Sequence, residues 1–253
     1  MSVLQPDSAR VDEIRPAANH DERREGRAPD ILLLHYTGMK TAEAACERLA
    51  SPEGGVSCHY VVLEDGRLLQ MVAEDRRAWH AGVSNWEGET DVNSRSIGIE
   101  IVNPGHEFGY RDFPASQIET VIELCRDICA RRGVQPERVL AHSDVAPQRK
   151  QDPGEKFPWD RLAAAGVGHW APPAPLAEGA TIVQGDEGEP VEHLQTLLSL
   201  YGYGVEIDGR FDAATSAVVR AFQRHFRPER VDGAADFSTC ATLRNLLAAL
   251  PAR

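Results

Sequence analysis

Three short apolar runs constrain this chain more than anything else in it. ILLLHY occupies residues 31–36, SIGIEIV 96–102 and VLAH 139–142. Each is too short for a core helix and too apolar for a loop, so each reads as a buried strand. In SIGIEIV, Ile97, Ile99 and Ile101 alternate with Gly98 and Glu100, which turns Glu100 away from the packed face. Residues 57–63 and 68–72 read as a hairpin around the turn Glu64-Asp65-Gly66. Helical spacing separates these strands. Ala42, Ala45, Cys46 and Leu49 mark one helix over 41–50. Ser116-x-x-Glu119 forms a capping box before a stripe of Ile118, Val121, Ile122, Cys125, Ile128 and Cys129. Arg131 and Arg132 suit the negative end of that helix, and Gly133 stops it. Interleaved strands and helices predict an α/β fold with a mixed central sheet flanked by helices.

Residues 1–28 are polar and read as an extended lead-in to a domain over 29–166. Residues 167–180, VGHWAPPAPLAEGA, read as a linker because Pro, Ala and Gly dominate them. Few contacts are expected to cross it, so a chain ending near Gly168 is expected to fold alone. Residues 181–253 predict a small three-helix domain. Leu194, Leu197 and Leu198 lie in its first helix, which Gly202 closes; Asp212 caps the second and Ser238 the third. Ile207-Asp208-Gly209 and Val231-Asp232-Gly233 each precede a helix and form a weak internal repeat.

A formal net charge of -12 repels polyphosphate, so no nucleic-acid partner is expected. The longest apolar run, Ile31 to Leu34, is far too short to span a bilayer, so no membrane insertion is expected. The N-terminal stretch has no basic start followed by an apolar core, so no signal peptide is expected. Cys46, Cys58, Cys125, Cys129 and Cys240 form no CxxC pair and are odd in number. They read as small buried apolar residues in a reducing, cytoplasmic setting.

His35 and His142 each stand at the end of an apolar strand, and Asp152 follows in a loop. Two imidazoles and a carboxylate suit zinc with a fourth position open to water. There is no HExxH helix, and spacing alone does not single these three out from other polar residues.

LLLHYTG, CHYVV, AWHAG, SIGIEIVNPG and AHSDVAPQRKQDPGEKFPW, taken in order, resemble the N-acetylmuramoyl-L-alanine amidase type 2 family, which includes the peptidoglycan recognition proteins. The resemblance spans roughly residues 18–166. It implies one Zn²⁺ per chain on His35, His142 and Asp152, with Glu100 and Lys150 as catalytic residues. It also implies hydrolysis of the amide between N-acetylmuramic acid, or its 1,6-anhydro form, and L-alanine in peptidoglycan or muropeptides. On that reading Glu100 moves the proton of the attacking water and Lys150 faces the developing oxyanion. DGRFDAATSAVVRAFQRHF resembles a peptidoglycan-binding module. Trp79, His80, Asn93 and Arg95 are candidate substrate-binding residues: the first two line a cleft, and the others bind a carboxylate or lactyl oxygen. His59, inside a strand, reads as a core histidine. The alternative is a non-catalytic recognition protein that keeps the fold. A carboxypeptidase acting on the stem peptide needs ligand motifs that are not found.

Overall fold

The computed structural model describes residues 4–251; residues 1–3 of the lead-in, and 252 and 253, lie outside them. Two short strands come first, β1 (Glu13–Ile14) and β2 (His20–Glu22). Then follow β3 (Ile31–Tyr36), α1 (Ala42–Ala50), β4 (Tyr60–Val62), β5 (Leu68–Gln70) and β6 (Arg76–Ala78). The turn α2 (Val92–Arg95) leads into β7 (Ser96–Ile101), and the turn α3 (Gly105–Phe108) precedes the long helix α4 (Ala115–Arg132). Strand β8 (Val139–Ala141), the turn α5 (His142–Val145) and α6 (Trp159–Ala164) complete the first part. Helices α7 (Glu189–Tyr201), α8 (Ala213–Phe226) and α9 (Phe237–Ala248) form the second.

Six strands pair in the order β1-β5-β4-β7-β3-β8, parallel throughout except for the β4–β5 hairpin. The alternation read from the sequence sets the two faces. Leu32, Leu34, Ile97, Ile99 and Ile101 pack on the apolar stripe of α4. On the other face, Val61 and Leu69 meet Cys46 and Leu49 of α1, while Ile31, Leu33 and Leu140 join a cluster with α7, α8 and α9. His35 and Glu100, paired in register between β3 and β7, share this second face.

The lead-in is more than a tail. Strand β1 adds to β5 through backbone hydrogen bonds, which the polarity of its side chains does not reveal. Arg23 is buried and donates to the carbonyls of Glu74, Asn93, Ser94 and Ser96. Glu74, also buried, accepts from Tyr60, Arg131 and Arg132 and so ties β4 to the end of α4. Two expected caps shift by two residues each. Ser116 sits inside the first turn of α4 and donates to the Glu64 carbonyl, with Pro114 at the cap position. Asp236, not Ser238, caps α9 by accepting from the Thr239 amide at 2.7 Å. Asp212 caps α8 in the same way, at 2.8 Å from the Thr215 amide.

The internal repeat is written in hydrogen bonds. Gln195 Oε1 accepts from the amides of Asp208 and Gly209, and its Nε2 donates to Asp208, the Arg210 carbonyl and Thr215. Gln223 repeats every one of these bonds with Asp232, Gly233, Ala234 and Thr239. A buried amide thus pins each turn to a helix, and the Asp-Gly that follows supplies its partners.

The expectation of few contacts across 167–180 does not hold. That segment lacks regular structure, but the helices beyond it fold back onto the sheet. Trp86 packs edge-on against Tyr203, with ring centroids 5.1 Å apart, and Gly202 makes room for it. A Cβ at Gly202 would come within 2.5 Å of the indole. Pro and Gly content reports the absence of local structure and says nothing of long-range packing. A chain truncated after Gly168 would expose the Trp86 surface and strip Asp144 of two buried partners. It is expected to be insoluble or to lack a cooperative melt; a soluble fragment melting within a few degrees of the full chain would contradict this.

Glu74 gives a second prediction. Burial alone would raise its carboxyl, but Arg131, Tyr60 and Arg132 hold it down to about 2. A depressed folded-state pKa contributes stability above the ordinary value of 4.5, and that contribution is lost as pH falls toward 2. Glu74→Gln is expected to cost about 2 kcal/mol at pH 7. Melts at pH 7, 5 and 3 should show the gap from wild type closing below pH 4.5; a constant gap would refute the pairing.

Candidate metal centre and cleft

The carboxyl ends of parallel strands are where open α/β sheets bind ligands. His35 is the penultimate residue of β3, and His142 follows the last residue of β8. The loop that carries Asp152 is stapled to α5: Ala146 donates to the His142 carbonyl, and Ser143 to the Asp152 carbonyl at 3.0 Å. Three ligand atoms converge as a result. His35 Nδ1 lies 2.8 Å from His142 Nδ1 and 3.1 Å from Asp152 Oδ2, and His142 Nδ1 lies 3.0 Å from the same oxygen. Among the described residues this is the one cluster of three side chains suited to hold a metal ion.

Neighbouring groups set the tautomers. His142 Nε2 faces the carbonyl of Ala81 at 3.0 Å, which can only accept, so Nε2 carries the proton and Nδ1 is bare. His35 Nε2 meets His80 Nδ1 at 3.0 Å, and His80 Nε2 reaches Ser96 Oγ at 3.4 Å. Ser96 spends its own proton on the Val92 carbonyl, so it accepts from His80. His80 Nδ1 therefore accepts from His35, whose Nδ1 is left free for a metal. Burial, then the nearby His142, pushes His35 down to about 4, and burial and His35 push His80 well below its ordinary value. Two bare imidazole nitrogens and a carboxylate at these separations fit a small divalent cation with nitrogen and oxygen ligands.

A cleft of about 370 Å³ opens above these atoms, lined also by Trp79, Glu100, His106, Lys150 and Gln151. Glu100 Oε2 is buried without a hydrogen-bond partner, and burial, reinforced by Asp152 and opposed by Lys150, raises its carboxyl well above the ordinary value. Gly98, two residues earlier on the same face, lets the His80 ring lie flat on the sheet; a Cβ there would fall within 2.5 Å of it. Trp79 is half-buried on the cleft wall with its indole N–H unpartnered.

Two expected substrate residues are placed elsewhere. Asn93 is buried, and its Oδ1 accepts from the amides of His80 and Ala81, so it shapes the strand end rather than the cleft. Arg95 is paired with Asp30 away from the cleft. His80 supports His35 from behind, although its ring also lines the cleft. His59 is a core histidine bonded to the Arg76 carbonyl and the Gly98 amide. Asp144, two residues after His142, is fully engaged by the Ala141 amide, Tyr203 and His225. Tyr203 and His225 come from 59 and 81 residues away, and no local pattern announces them.

Residues 25–155 match the family model for N-acetylmuramoyl-L-alanine amidase, and residues 187–243 match that of a peptidoglycan binding domain. The chain is 38% identical to N-acetylmuramoyl-L-alanine amidase AmiD of Escherichia coli K12, over 90% of this chain and 87% of that one. It superposes with a TM-score of 0.75 on AmiD in complex with anhydro-N-acetylmuramic acid-L-Ala-D-γ-Glu-L-Lys, at 36% identity over 90% of this chain and 92% of the other. AmpDH3 from Pseudomonas aeruginosa in complex with anhydromuramic pentapeptide aligns at a TM-score of 0.74 and 32% identity, over 93% and 97%. No described helix is long and apolar enough to cross a membrane.

Proposed function

The chain belongs to the N-acetylmuramoyl-L-alanine amidase family, and from this we propose that it is a zinc enzyme acting on muropeptides, their 1,6-anhydro forms included. The observation that carries the proposal is the convergence of His35, His142 and Asp152 beneath a cleft lined by Glu100, whose Oε2 has no hydrogen-bond partner. Bound there, zinc would supply Lewis acidity and a water of near-neutral pKa.

The remaining chemistry belongs to the chain. Burial raises the carboxyl of Glu100 and with it its basicity, and Glu100 takes the proton of the attacking water. It then hands that proton to the departing nitrogen of L-alanine. Lys150, on the same cleft wall, faces the negative charge that grows on the carbonyl oxygen. Trp79 offers an apolar ring to the sugar from the cleft wall. His80 keeps His35 neutral and oriented, and Asn93 holds the amides of His80 and Ala81 in place. Five unpaired cysteines support a reducing, cytoplasmic setting. The helical module supports contact with glycan-bearing substrate.

Glu100→Gln preserves size but accepts no proton. Incubation with an anhydro-muramyl tripeptide, followed by mass spectrometry, should show wild type releasing the intact stem peptide. The variant should lose about 10²–10⁴-fold in kcat while keeping its metal. Near-wild-type kcat in the variant would assign the base elsewhere, and release of single amino acids by wild type would overturn the amidase reading.

A further inference from the structure

The module and the metal loop together enclose a second recess, of about 210 Å³, which shares Arg149, Lys150 and Gln151 with the wall of the catalytic cleft. Its other wall carries Arg220 and Arg224 of α8. Four cationic side chains and no carboxylate line it, in a chain whose net charge is -12. Such a concentration against the charge of the whole molecule calls for an anion.

The cations are only partly spent. Arg149 donates to the carbonyls of Ala81 and Val83, which leaves its charge uncompensated. Arg224 reaches Gln151 at 3.3 Å; its Nε, 3.8 Å from Glu155, is buried without a hydrogen bond. Among the described residues no carboxylate lies within ion-pair distance of Lys150 or Arg220. The Arg220 side chain lies across Gly233, where a Cβ would come within 2.9 Å of it, so the backbone there leaves it room. Burial lowers the Arg224 guanidinium, with Glu155 opposing and Arg220 reinforcing, as expected of two like charges held together.

We propose that this recess is a carboxylate subsite in which Arg220 and Arg224 of the helical module, with Arg149, bind the free α-carboxylate of the stem peptide. The proposal rests on the amidase reading. In a stem of the form L-Ala-D-γ-Glu, the γ-linkage leaves the α-carboxylate of the second residue free. Two residues of extended chain cover about 7 Å, and the recess adjoins the cleft across the shared Arg149–Gln151 wall. The module then serves as one wall of the substrate site, which accounts for its docking against the metal loop. Guanidinium groups suit carboxylates because they bind them with two parallel hydrogen bonds.

The test uses the full-length zinc-loaded protein and two substrates, anhydro-muramyl-L-Ala-D-γ-Glu-L-Lys and the same molecule with the α-carboxylate replaced by carboxamide. Wild type is expected to favour the carboxylate in kcat/KM. Arg220→Ala should cut that ratio about tenfold, and Arg220→Lys should retain part of it. Added salt should shrink the wild-type ratio. An unchanged ratio in Arg220→Ala, or no preference in wild type, would overturn the subsite. Cleavage of neither substrate by wild type would count against the amidase reading alone. Calorimetry with the free stem tripeptide then decides the subsite: weaker binding to Arg220→Ala than to wild type supports it, and equal binding overturns it.

Discussion

Two bare imidazole nitrogens and a carboxylate oxygen, held about 3 Å apart inside the protein, are the constraint that the rest of the structure serves. Without a cation between them, their lone pairs repel one another. A fold keeps such an arrangement only if rigid elements impose it from outside. Here the rigidity comes from parallel strands β3 and β8, which are hydrogen-bonded neighbours and present their histidines at the same end. The Ala81 carbonyl and the His80–Ser96 chain then fix which ring nitrogens carry protons.

The helical module continues this support. Asp144 stands two residues after His142 and accepts from its own strand end at Ala141, from Tyr203 and from His225. His225 stacks on Trp159, with ring centroids 3.7 Å apart, which ties α8 to α6 as well. A fully buried carboxylate needs all of these partners, since an unpaired one carries a large desolvation cost. Metal loop, sheet and module therefore form one packed unit, although the chain between them has no regular structure of its own.

What was legible in the sequence follows from what sequence patterns report. Alternation in SIGIEIV placed Glu100 on the face opposite the isoleucines, and the sheet puts it there because strand geometry leaves no other choice. The strand-end histidines were visible as residues, but their convergence with Asp152 depends on β3 and β8 being neighbours, which the family resemblance supplied and spacing did not. Asn93 and Arg95 were misplaced for a related reason: a polar residue near a site looks the same whether it faces substrate or holds backbone. The role of Gln195 and Gln223 was hidden because a buried glutamine has no periodic signature; only the paired Asp-Gly turns hinted at it.

The central claim is that His35, His142 and Asp152 hold one zinc ion. Metal analysis of the purified chain after exhaustive dialysis tests it most directly. The account predicts one zinc per chain in wild type and none in Asp152→Ala, with circular dichroism showing that the variant keeps its fold. Zinc retained at full stoichiometry by Asp152→Ala, or full turnover by metal-free wild type, would contradict it.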